Sequence, residues 1–326
     1  MFILQSYPLA VIFCVITMFC WGSWANTQKL ARKGWRFELF YWDYTIGVLL
    51  LTLILGLTLG SSGQEGRSFL GDLSQASRSS ILSALIGGAI FNAANILLVA
   101  AIDMAGLAVA FPISIGIALV VGVVLSYALQ PKGNALFLAI GVACALVAVV
   151  LDGKAYGSLS RTGRTVSRKS IVTCVVSGVL MGLWNPLVAY SATRGTPLSP
   201  YSSVVFLTLG ALLSCFVWNI YFMKKPLVGE PVSFGGFFSG PPFGHLLGLF
   251  GGFIWGIGTV FNVVAGLKTG FAISYAIGQS APMVAALWGL LVWKEFAGSG
   301  SRARMYLVLM FVFYGLAILL VARANG

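Results

Sequence analysis

Between Gly248 and Phe296 the chain runs through two apolar segments joined only by Gly266-Leu267-Lys268-Thr269-Gly270. Each is about as long as the 20 residues a helix needs to cross the hydrocarbon of a bilayer. Backbone polar groups inside lipid must be satisfied within the protein, so segments of this kind read as membrane-spanning helices. The first places Gly248, Gly252 and Gly256 at every fourth position, leaving one helical face bare for a neighbouring helix. The second carries Gln279, Ser280 and Pro282 at its middle, where polar groups must face protein or a cavity.

Composition extends this reading to the whole chain. Of 326 residues, 59% are hydrophobic and 9% charged, and the mean hydropathy is +0.95. A soluble domain is nearer half apolar and a quarter charged, so the chain reads as an integral membrane protein. Its formal charge of +12 does not point to nucleic acid, because the basic residues fall in short connectors where membrane topology explains them. The five cysteines lie in apolar runs without C-x-x-C spacing and suggest neither disulfides nor metal ligation. His245 is the only histidine; alone it makes no metal site and reads as interfacial. No G-x-S-x-G or H-E-x-x-H occurs, so neither enzyme chemistry nor a cofactor is implied. The N-terminus has no signal-peptide pattern, and the first span is expected to stay.

Ten spans are predicted, at 6–25, 39–60, 81–102, 105–129, 134–152, 170–192, 200–222, 243–265, 270–293 and 304–323. Connectors after the odd-numbered spans hold 14 Lys and Arg, against 6 in the opposite set and the tail. The basic set is expected to be cytoplasmic, with both termini extracytoplasmic. Sliding the chain by 164 positions sets Gly87-Gly88 on Gly251-Gly252, Phe91 on Trp255 and Gly106 on Gly270. Near the start of each half a shift of 160 sets Gly22 and Trp24 on Gly182 and Trp184, and one of 161 sets Gly34 on Gly195. The expected organisation is a first five-helix repeat over 1–152, a basic cytoplasmic linker over 153–169 and a second repeat over 170–326. An odd number of spans per repeat inverts the second, the arrangement of many alternating-access carriers.

The segments Cys20–Gly34, Trp42–Tyr44, Ile86–Ile113, Gly141–Val149 and Val264–Phe296 resemble the drug/metabolite transporter superfamily. Within it they are similar to the branch of glucose/ribose porters and ureide permeases. The resemblance implies a ten-span carrier of the inner or plasma membrane, moving sugars, ureides or nucleobases with the proton gradient. Plant ureide permeases carry a long central insert with a phosphate-loop-like motif. Here the centre is only 153–169 and Gly153-Lys154 is followed by Ala155, so no nucleotide site is implied.

Polar and aromatic groups at mid-membrane depth are the candidate solute ligands. Asn92 and Asn95, three residues apart, share a helix face, and their amides suit sugar hydroxyls or a ureide edge. Helix–helix hydrogen bonding is the alternative use. Gln279 and Ser280 precede Pro282, which removes a backbone donor and can open carbonyls to a cavity. Asn185, before Pro186, has similar chemistry in span 6, and Trp24, Trp184 and Trp255 are candidate pocket walls that stack on rings or sugar faces. Asp43, one turn inside span 2, is the candidate for proton coupling, with an ion pair to Lys29, Arg32 or Arg36 as the plainer reading. Asp103, taken as external, and Lys268 form a candidate gate across the halves. The first functional reading is proton-coupled uptake of a sugar in the lipid bilayer by alternating access. A ureide, nucleobase or nucleoside permease is the second. A non-transporting receptor or scaffold is the reading from another class, and it leaves the repeat without a purpose.

Overall fold

A computed structural model describes residues 1–31, 35–63, 65–159 and 167–325. Arg32, Lys33, Arg161 and Arg164 of the basic count, and Gly34 of the repeat match, lie outside these. The described residues form helices and no strand. Most of the long helices start where a polar side chain caps them, because the first amides of a helix have no partner inside it. Ser77, Ser167 and Ser199 accept from the backbone N–H of Ser80, Ser170 and Ser202. Among the described residues nine helices are long and apolar enough to cross a membrane. In order they are α1–α2 (Tyr7–Ser23, Ala25–Ala31), α3 (Phe37–Leu57), α5 (Arg78–Ala105), α6 (Leu107–Leu129), α7 (Ala135–Gly157), α8 (Arg168–Thr193), α9–α10 (Pro200–Cys215, Trp218–Lys224), α12 (Pro242–Thr269) and α15 (Ser301–Arg323). Short helices α4 (Phe69–Gln75) and α11 (Phe234–Phe238) occupy two connectors. With this length and hydropathy the chain is an integral membrane protein.

Two boundaries differ from the sequence expectation. The span expected over 270–293 is split into α13 (Phe271–Gly278) and α14 (Ala281–Leu291), with Gln279 and Ser280 between them. Pro282 has no N–H, so the Gly278 carbonyl four residues earlier loses its helical donor, and the chain turns instead. The expected 153–169 linker is shorter, because α7 continues through Gly157 and α8 starts at Arg168.

Glycine sets the closest helix crossings. A Cβ on Gly252 would lie 2.2 Å from Tyr44 O on α3, and one on Gly88 would lie 1.8 Å from Leu207 O on α9. A Cβ on Gly47 would meet Leu249 O at 2.4 Å, and one on Gly210 would meet Leu85 O at 2.1 Å. The same contacts thus recur between α3 and α12 and between α9 and α5. Hydrogen bonds recur too. Thr17 Oγ1 donates to Gly258 O at 2.8 Å, and Ser177 Oγ to Ala94 O at 2.9 Å. Gly106 (φ 78°) and Gly270 (φ 97°) each end one 28-residue helix and begin the next, a backbone that side chains resist.

The two ends of the bundle are distinct. At the termini face, Phe2 N donates to Leu59 O, Asn134 N to Ala324 O, and Arg194 to Leu129 O. At the opposite, linker face, Lys29 pairs with Glu295, Tyr156 OH donates to Glu295 Oε2, and Trp293 Nε1 donates to Asn26.

Candidate functional site

The core between α1, α5, α8, α12 and α13 is a nest of aromatic rings. Trp21 and Trp184 meet edge to face at 5.7 Å between centroids, Phe91 stacks on Trp255 at 4.5 Å, and Trp184 lies 6.3 Å from Trp255. Tyr275 closes the nest toward the termini face, its ring edge-on to Trp21 and Trp184. Its hydroxyl donates to Met181 O at 3.1 Å. A Cβ on Gly122 would sit 2.2 Å from that ring, so the glycine makes room for it.

On the linker side of the nest lies a cavity of about 200 Å³. Its walls combine Trp21, Trp24, Gln28, Phe91 and Asn95 from the N-terminal half with Met181, Trp184, Trp255 and Gln279 from the C-terminal half. Gln28 and Val99 also line a wider cavity of about 500 Å³ at the linker face, where Arg36, Glu38 and Asp103 lie. The inner cavity thus adjoins the one at the linker face across Gln28 and Val99. Toward the termini face the path is packed shut. Asn262 Nδ2 donates to Ser274 O at 2.9 Å, and Phe271 N donates to Gln130 Oε1 at 3.3 Å.

Among the residues singled out from the sequence, Asn95, Gln279, Trp24, Trp184 and Trp255 come together around this cavity. Asn95 keeps one amide bond to Tyr41 OH at 3.2 Å. Asn92 does not join them. It is fully buried against α9, donating to Ala211 O at 3.1 Å and Ser214 Oγ at 2.7 Å. Three residues advance a helix by about 300°, so the two amides diverge by about 60°, enough to put one in a helix seam and one in a cavity. Asn185 is likewise buried in a seam, donating to Ser126 Oγ at 2.8 Å on α6. Ser280 lies at the α13–α14 break, 1% exposed and outside the cavity lining. Trp21, Phe91, Gln28 and Met181 were missed. The repeat offset was a signal for one of them, since Phe91 matches Trp255.

The charged candidates need more correction. Asp43 pairs with His245, whose Nδ1 lies 2.9 Å from Oδ2 and 3.0 Å from Oδ1. The His245 ring is held edge-on by Trp35 and Phe237, so the lone histidine is the partner of the buried carboxylate and not a free interfacial group. Arg36 is committed elsewhere. It binds Glu38 through two nitrogens and the carbonyls of Val228 and Glu230, and the Glu38 carboxylate raises its already high pKa. Asp103 and Lys268 do not form a gate pair. Asp103 lies at the linker face beside Arg36. Lys268 lies in the last turn of α12 on the other face, about 34 Å along the helix at 1.5 Å per residue from His245, which pairs with Asp43. There Lys268 approaches Lys132, whose pKa is lowered by burial and by that second ammonium. The link between α5 and α6 thus lies with the basic connectors, and Asp103 is not at the external face expected from the sequence.

Comparison with known proteins fits this architecture. The chain is 23% identical to ureide permease 1 of Arabidopsis thaliana over 100% of its own length and 99% of that protein. It is 24% identical to ureide permease 5 of the same plant, over 100% and 96%. A protein crystal structure superposes with a TM-score of 0.65 over 98% of this chain and 100% of that one, at 17% identity, a likeness of fold alone. The ureide permease profile matches residues 40–174 and again 170–323. On that match, which spans nearly all of α3 through α15, the chain belongs to the ureide permease family.

Proposed function

We propose that this protein is a secondary carrier for a small, uncharged ureide, working by alternating access between two five-span halves. The observation that carries the reading is the central cavity, walled by both halves and open to one face. Its volume of about 200 Å³ is below the roughly 300–1,000 Å³ of drug-sized sites, which favours a compact solute. The tryptophan faces suit a flat ring. The amides of Asn95 and Gln279 offer donors and acceptors to a ureide edge, which alternates N–H and C=O. The relatives' names favour the ureide over the sugar expected first from the sequence, and a nucleobase has the same kind of edge.

In this reading α13 and α14 together form the tenth span, and the halves are an inverted repeat, supported by contacts that recur at offsets of 160 to 164. The linker face is cytoplasmic, because it collects the basic connectors, and both termini are outside. The conformation described is then inward-open. Proton-driven uptake belongs to the proposal. The test uses purified protein in proteoliposomes, with exchange of radiolabelled allantoin against unlabelled allantoin, uracil and glucose. Exchange with allantoin, weakened by Trp184→Ala, is expected; exchange with glucose alone would overturn the ureide assignment.

A further inference from the structure

Asp152, near the linker-face end of α7, is 2% exposed. Its Oδ1 has no hydrogen-bond partner among the described residues, and it lies outside the solute cavity. Among the described residues none forms an ion pair with it, and the cations of α15 are confined to the ends of that helix, at Arg302, Arg304 and Arg323. From α15 comes Tyr314, fully buried, whose hydroxyl is also without a partner and lies within electrostatic reach of Asp152. Tyr156, on α7 itself, is within the same reach, but its hydroxyl is committed to Glu295 at 3.2 Å. Lys154, the cation nearest in sequence, lies over the Tyr306 ring at 5.9 Å. Neither α6 nor α14 carries a charged residue.

What α6 brings is a carbonyl. Pro112 has no N–H, so the Ala108 carbonyl lacks its helical donor. That carbonyl abuts the residue after Asp152, for a Cβ on Gly153 would lie 2.9 Å from Ala108 O and 2.4 Å from Pro112 Cγ. A carboxylate is an acceptor only, whereas a carboxylic acid adds an O–H donor for a neighbouring oxygen. We propose that Asp152 is a proton-binding site, loaded in this inward-open conformation, and that its proton is the one coupled to solute movement.

This inference rests on the carrier reading above. The path to the cavity is short, because Pro112 sits between Phe111 and Ile115, both of which line it. A bare carboxylate has no counter-ion among the described residues in that seat and must turn out of it. Gly153 packs directly on Pro112, so the movement passes to the cavity wall on α6. Release is toward the linker face, about one and a half turns along α7 to Gly157.

Full-length protein in proteoliposomes provides the test. Under an imposed proton gradient the wild type is expected to accumulate radiolabelled allantoin several-fold. Asp152→Asn, with uptake normalised to exchange in the same vesicles, is expected only to equilibrate it. Accumulation by Asp152→Asn equal to wild type overturns the proposal. Infrared spectroscopy of the purified protein gives a readout independent of transport. A protonated-carboxyl band is expected at neutral pH, shifted by Tyr314→Phe and removed by Asp152→Asn. Its absence from the wild type, or its survival unmoved in both variants, overturns the proton site and leaves the carrier reading standing. Wild-type vesicles that exchange no ureide, nucleobase or sugar overturn the carrier reading and the coupling with it, while the band still decides whether the proton site exists.

Discussion

Two adjacent glycines make opposite predictions. Gly87 and Gly88 both lie on α5, and alanine at either costs nothing in helix propensity. Their surroundings differ. A Cβ on Gly87 meets Leu187 Cβ at 3.3 Å and Trp184 O at 3.4 Å, so α8 need give by no more than a few tenths of an ångström. One on Gly88 lands 1.8 Å from Leu207 O and 2.7 Å from Ala211 N, both backbone of α9. Ordinary contact starts near 3.4 Å, so α9 must retreat by about 1.6 Å, which opens the seam along its length. Overpacking of this kind costs about 1–3 kcal/mol, and a backbone clash belongs at the top of that range. Gly87→Ala is expected to cost less than about 1 kcal/mol. The assay is the unfolding midpoint of detergent-purified protein, with Gly252→Ala as the partner of Gly88→Ala, since its Cβ meets Tyr44 O at 2.2 Å. Equal midpoints for Gly87→Ala and Gly88→Ala would refute the close crossing, and a mild Gly252→Ala beside a severe Gly88→Ala would refute its equivalence in the two halves.

Asn95→Ala is expected to raise the KM for allantoin by about 2- to 12-fold, the value of one hydrogen bond of about 0.5–1.5 kcal/mol. Asn92→Ala should instead lower the unfolding midpoint with KM unchanged, because its amide serves α9; a KM effect at Asn92 and none at Asn95 would reverse the assignment. His245→Ala strands the Asp43 carboxylate, which is only 5% exposed, and is expected to destabilise by about 1–3 kcal/mol. Asp43→Asn with His245→Ala should be less than additive in unfolding midpoints, and additive losses would show that the pair is not coupled.

The membrane class and most of the helices were legible because each depends on composition or on residues near in sequence. Gly88 and Gly252 could be matched by offset since a close crossing accepts little else. Contacts between distant segments were not legible. Nothing in the sequence says that His245 lies beside Asp43, 202 positions earlier. Nor does helix periodicity decide between Asn92 and Asn95, because both fall on the buried half of α5 and only the position of α9 separates seam from cavity. Asp152 escaped for a simpler reason. The predicted span stopped there, whereas α7 goes on for five residues and carries the carboxyl under α6 and α15.

The two halves are similar in their helix crossings but not in their seals, and in the proposed carrier the difference predicts which conformation is preferred. At the termini face Asn262 donates to Ser274 O at 2.9 Å and holds α12 to α13. The positions that match these in the other half, at the offset of 164, are Leu98 and Ala110, which have no side-chain amide to offer. The linker face therefore has no counterpart of this buried amide bond with which to close. In the proposed carrier that bond, worth about 1 kcal/mol net, would bias the protein toward the conformation open at the linker face about 5-fold. Asn262→Leu should remove the bias. In a background free of the native cysteines, Ala272→Cys on α13, at a position 1% exposed here, reports opening of the termini face to a membrane-impermeant thiol reagent. Asn262→Leu is expected to speed its labelling by about the same 5-fold, and Leu98→Asn to slow it by supplying the missing amide on the other side. Unchanged labelling in Asn262→Leu would mean that the aromatic nest around Tyr275, not the amide, keeps that face shut.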